Sequence, residues 1–157
     1  MEDFLRLIHV LGASILFGTG IGIAFFMVVA HRTHNPAIIA HVAGTVVIAD
    51  TIFTATAVIL QPLTGIALAE EVGWSLTEGW ILLAIALYVV TGLFWLPVVA
   101  IQVRMRNIAE RCAAYARPLP DEYFRLYRLW FACGFPAFLS VIGIVWLMLT
   151  KPSITLF

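Results

Sequence analysis

Apolar residues fill this chain in four long blocks, each closed by a short polar break, and almost no charge falls inside a block. The first block runs from Phe4 to about Ala30 and closes on His31-Arg32-Thr33-His34-Asn35-Pro36, a turn whose proline suits a tight connection between antiparallel helices. The second covers about residues 37–69 and ends at Glu70, Glu71 and Gly73. It is longer than a bilayer needs, which predicts tilt, a bend near Pro62, or extension beyond the membrane. The third covers about residues 79–103, carries Pro97 and continues as a polar helix through Arg104, Arg106, Glu110 and Arg111. Pro118 and Pro120 break it, and the fourth covers about residues 124–150. A hydrocarbon core takes about 20 helical residues at about 1.5 Å each, so every block is long enough to cross. The pattern predicts an all-α, integral-membrane, four-helix up-down bundle forming a single domain over residues 1–157.

Composition agrees with that reading. Of 157 residues 62% are hydrophobic and 11% are charged, which lies outside the balance of a soluble globular domain. A formal net charge of +0 gives no nucleic-acid-binding surface. The basic residues report topology instead: Arg104, Arg106, Arg111, Arg117, Arg125 and Arg128 flank the third connection, whereas the second offers Glu70, Glu71 and Glu78 and no lysine or arginine. The first and third connections are therefore expected on the cytoplasmic side and both termini on the outer, periplasmic side. Cys112 and Cys133 have no metal-motif spacing and are expected to be reduced. Glu2 and Asp3 precede the first apolar block and no A-x-A-like site ends it, so it reads as a retained span and not a cleaved signal.

Within this apolar frame a few residues carry chemistry. Projection at about 100° per residue puts His9, Gly12, Ala13, Leu16, Gly20, Ile23, Met27 and His31 on one face of the first helix. Small residues such as Gly12 and Gly20 let another helix or a flat rigid ligand approach the backbone, and an imidazole in lipid needs a partner. His9 is thus either a ligand for haem iron or copper, or a histidine hydrogen-bonded to a neighbouring helix or interfacial water. His31, His34 and His41 bracket the first turn, and of these His41, inside the start of the second span, is the better candidate metal ligand. His9 and His31 lie about 33 Å apart along the axis, too far to hold one macrocycle.

Asp50 is the one carboxylate deep inside a span, and projection groups it with Thr54, Gln61 and approximately Thr64, opposite His41. A carboxyl at that depth is neutral or paired. It can serve as a catalytic proton relay, bind a polar group of a substrate, or act as polar glue between helices. Met148 is expected near the depth of His9, where a methionine opposite a histidine makes a reasonable pair of haem ligands.

The stretch L-I-H-V with its glycine-containing apolar helix and terminal A-H-R resembles the first span of the HemJ-type bacterial membrane protoporphyrinogen oxidases and, more broadly, small membrane haem and copper-resistance D-type families. Over its length, through A-D-T-I-F-T-A, L-Q-P-L-T-G, W-L-P-V-V-A-I-Q-V-R-M-R and R-L-W-F-A-C-G-F-P-A-F, the chain resembles an uncharacterised bacterial integral-membrane family carrying a domain-of-unknown-function label. The HemJ-type resemblance implies that His9 matches the helix-one histidine associated with haem binding there. It does not extend to protoporphyrinogen oxidation, because that family also uses an intramembrane lysine in a later helix and Trp80 to Tyr88 contain none.

These readings converge on a multi-pass protein of the bacterial inner (plasma) membrane that binds haem b through His9 and works in electron transfer or redox chemistry. Gly12, Gly20, His41 and Met148 are the further cofactor-facing candidates, and Asp50 the candidate for proton movement. The lipid bilayer, a quinone or membrane redox protein, and a homo-oligomer are the expected partners. The competing reading is a cofactor-free transporter, channel or accessory subunit with a polar path around Asp50. A third is a structural module packing through its first helix.

Overall fold

The computed structural model describes residues 1–154. It is helical, with no strand among the described residues: α1 (Glu2–Arg32), α2 (Pro36–Ala49), a π-helical turn (Asp50–Thr54), α3 (Ala55–Val72), α4 (Gly79–Ala114) and α5 (Asp121–Thr150). α2, the π-turn and α3 form one continuous helix, so four helices are long and apolar enough to cross a membrane.

Each boundary has a local cause. Glu2 and Asp3 occupy the first turn of α1 and His31 and Arg32 the last, which complements the helix dipole at both ends. Asn35 caps α2 by accepting from the backbone N–H groups of Ala37 and Ile38, and Pro36 takes the first helical position, where no N–H is needed. Gly73 ends α3 at φ 83°, in the left-handed region that glycine reaches without strain.

The long second span extends to Val72, and its irregularity falls at Asp50–Thr54. There the N–H of Ala55 reaches back five residues to the Asp50 carbonyl. Pro62 lies inside α3. Proline lacks the N–H that would bond the carbonyl of Val58, and the Tyr88 hydroxyl of α4 donates to that carbonyl instead.

α4 packs along α5, α2 on α4, and α3 on α1, so the span changes its main neighbour across the π-turn. At the end holding the first and third connections, called here the arginine-rich end, one core joins Met27, Ile39, Val46, Met105, Ile108 and Tyr123. At the terminal end a smaller group joins Ala69, Trp80, Ile81, Ala84 and Leu147. Between them Phe17 and Phe138 stack with ring centres 5.3 Å apart and close α1 against α5. Phe4, Leu7, Leu139 and Leu149 face outward, as lipid-facing residues of a membrane bundle do.

Candidate functional site

Two polar centres stand in this apolar bundle, about 21 Å apart along the second span if measured from Asp50 to Thr64. The first is built where α1 crosses α3. His9 is half-buried, and its Nδ1 lies 2.9 Å from Thr64 Oγ1. The Thr64 hydroxyl donates to the Leu60 carbonyl at 2.8 Å, so its lone pairs are free to accept from Nδ1–H. With the hydroxyl proton on the Leu60 carbonyl, Nδ1 is the donor to Thr64 and Nε2 keeps the lone pair. Gln61 Nε2 donates to the backbone carbonyl of His9 at 2.9 Å.

Two glycines make the crossing close enough for these bonds. A Cβ at Gly12 would collide with Gln61 Nε2, and one at Gly65 would lie 3.1 Å from His9 Cε1. The small face of α1 is therefore filled at Gly12 by a side chain of α3. Beside Gly20 a Cβ would meet nothing within 4 Å.

The second centre surrounds the first residue of the π-turn. Asp50 is 4% exposed, and its Oδ1 accepts from Trp95 Nε1 at 3.3 Å. With the Gln102 amide oriented to satisfy both its neighbours, Nε2 donates to Asp50 Oδ2 at 3.1 Å and Oε1 accepts from Trp130 Nε1 at 3.2 Å. Thr54, one turn on, is buried, and its hydroxyl has no hydrogen-bond partner among the described residues. The carboxyl is thus met by neutral N–H donors from α4 and an unengaged hydroxyl.

The remaining sequence candidates are dispersed. His41 is exposed on the outside of α2. Its projected opposition to Asp50 is seen, but it joins neither His31 nor His34. Those two rings lie 5.8 Å apart, and His31 stacks on Tyr127 at 3.5 Å and meets the Tyr123 hydroxyl at 3.4 Å. Met148 packs on the terminal-end group of Ala69, Trp80 and Leu147. Gln61 and Thr64 stand with His9, whereas Asp50 and Thr54 stand with Trp95 and Gln102. An open cavity of about 550 Å³ lies at the arginine-rich end, between His34, Asn35, Cys112, Arg117 and Pro118.

Among the described residues no three His, Cys, Asp or Glu side chains come together to hold a metal ion. Haem asks less of a protein, because the macrocycle supplies four of the iron's ligands and the chain needs to give one or two. A histidine whose far nitrogen is fixed by a hydrogen bond fits that demand on one side. Trp95, Gln102 and Trp130 were missed by helical projection. The available signal was Gln102 itself, an amide inside the apolar run VVAIQV.

Over residues 3–152 the chain matches the family model described as "Predicted integral membrane protein (DUF2269)". No curated protein and no solved structure matches it.

Proposed function

We propose that this chain, which belongs to the DUF2269 family of predicted integral membrane proteins, binds b-type haem through His9 and serves electron transfer or redox chemistry. The observation that carries the reading is the Thr64 hydroxyl. By engaging Nδ1 it fixes the ring and leaves Nε2 as the nitrogen able to hold iron, the arrangement typical of metal-bound histidines. Gln61 and Gly65 add to it by holding the His9 backbone and bordering the ring. The haem would supply a one-electron redox change, and the protein's part is to hold and orient it in a dry setting.

His9 alone carries this proposal. Gly12 is occupied by Gln61, Gly20 leaves open space further along α1, and His41 and Met148 belong to other surroundings. A half-buried histidine near the end of the bundle is accessible to a second copy, so a homo-oligomer would be the natural source of a further residue to hold the haem. A quinone or another membrane redox protein fits as the electron partner. The arginine distribution supports a bacterial inner membrane with the arginine-rich end in the cytoplasm, which puts His9 in the outer leaflet.

The test is optical. Protein purified in detergent from haem-replete cells is expected to show a Soret band that shifts on dithionite reduction. His9→Ala is expected to abolish the band, and Thr64→Val to alter its position while retaining haem. Absence of the band in the wild type would end the proposal, and a band indifferent to His9→Ala would end the ligand assignment.

A further inference from the structure

Asp50 is chemically alone in the middle of the membrane. No Lys, Arg, His, Asp or Glu occurs on α1 between His9 and His31, on α4 between Gly79 and Arg104, or on α5 between Arg128 and Lys151. On its own span Asp50 is the one such residue between His41 and Glu70. The other titratable side chains in those intervals are Tyr88, whose hydroxyl donates to Val58, and Cys133. No cation therefore faces the carboxyl from any element packed against it. Buried carboxylates are as a rule paired with a cation or a metal, and a partnerless charge at bilayer depth is expensive.

The immediate neighbours say what the site accommodates. Trp95 Nε1 and Gln102 Nε2 donate to the two carboxyl oxygens, and Gln102 Oε1 is taken by Trp130 Nε1. A hard cation such as sodium needs a shell of several oxygens, as calcium and magnesium do. The donor set here is rich in N–H groups, leaving only the carboxyl and Thr54 Oγ1 as side-chain oxygens without another commitment. The Thr54 hydroxyl is buried within reach of the carboxyl and holds no close hydrogen bond elsewhere, and a hydroxyl can donate to a carboxylate and accept from a carboxylic O–H. The backbone supports the same view. The π-turn starts at Asp50 and ends at Thr54, and such turns are frequent at functional sites.

We infer that Asp50 is a proton-binding site in the middle of the membrane, its carboxyl taking up and releasing one proton whose hydrogen-bond acceptor is Thr54 Oγ1. Trp95 and Gln102 position the carboxyl in both states, and Trp130 positions Gln102. The inference stands independently of haem at His9.

Infrared difference spectroscopy on the full chain in lipid nanodiscs tests it, because a protonated carboxyl has a C=O stretch separate from the amide bands. Along an acid-to-alkaline titration the wild type is expected to show a band worth one carboxyl per chain, downshifted in D₂O and wholly lost in Asp50→Asn. Thr54→Val is expected to retain the band at a shifted frequency. This keeps the proposal testable if Asp50→Asn does not fold. Wild-type and Asp50→Asn spectra that coincide throughout the titration would overturn it. A Thr54→Val band at the wild-type frequency would overturn the acceptor assignment. A band change driven by sodium at fixed pH would overturn the choice of ligand. Repeating the measurement on His9→Ala protein separates the outcome from that of the haem proposal, since the Asp50 band is expected unchanged there.

Discussion

At the arginine-rich end Met27, Ile39, Met105 and Tyr123 are completely sealed, and α1, α2, α4 and α5 all contribute to one core. At the terminal end α1 leans mainly on α3, and Phe4 and Val10 stay 63% and 55% exposed to the surroundings. His9 sits in this thinner half and is half-buried, whereas Asp50, at the edge of the dense core, is enclosed. The contrast shows that the two proposals draw on different surroundings. A planar group of cofactor size needs an accessible side, which the His9 end offers. A proton needs only a buried, well-bonded carboxyl, which the dense side of the bundle provides.

The largest effect is expected where packing is tightest. Met27→Ala deletes a side chain with 0% exposure and leaves a void that the neighbouring helices fill only in part, at a cost of about 2–5 kcal/mol. Phe4→Ala at the terminal end, already in contact with lipid, is expected to change stability by less than about 0.5 kcal/mol. Reversible unfolding in mixed detergent micelles, followed by circular dichroism, measures both. Equal losses would erase the distinction between the halves.

Next in size is the α1–α3 crossing. Gly65→Val pushes methyl groups toward His9 Cε1, which a Cβ alone would approach to 3.1 Å, so the helices must separate. Overpacking of this kind costs about 1–3 kcal/mol, and it would also break the His9–Thr64 bond. The same unfolding assay, together with the Soret position of haem-loaded protein, reports the two consequences. Gly20→Val, where a Cβ meets nothing, is the control expected to leave both unchanged. Loss at Gly20 and none at Gly65 would relocate the close approach.

The four spans were legible because burial in lipid demands long apolar runs and leaves polar breaks between them. The π-turn was not, since Asp-Thr-Ile-Phe-Thr contains no helix breaker. Its effect on projection was large. Residues through a π-turn advance by less than the 100° of an α-helix, so Gln61 and Thr64 lag behind the face they would share with Asp50 and arrive beside α1. Pro62 was readable as a point of weakness, but its remedy, the Tyr88 hydroxyl, comes from a helix whose register no local pattern specifies. The same holds for Trp95 and Trp130, whose N–H groups only the fold turns toward Asp50 and Gln102. His9 was identifiable as a polar residue out of place. What it faces depends on Gly65, 56 positions later, and only the helix crossing brings them together.

The smallest effect is expected at the rims, and it completes the comparison. Arg104 pairs with Glu122 at the arginine-rich end and Arg6 with Glu2 at the terminal end, with the arginine side chains 65% and 55% exposed. Water screens such pairs, and holding two long side chains in register offsets part of the attraction, so each is worth less than about 1 kcal/mol. Arg104→Ala and Arg6→Ala should therefore give small and similar losses, shrinking further in high salt. If Arg104→Ala proved several times more costly than Arg6→Ala, the arginine-rich half would owe its stability to charge at its rim. Near-equal values leave side-chain packing as the source of the difference, and with it the reason one half can enclose a carboxyl while the other leaves a histidine within reach.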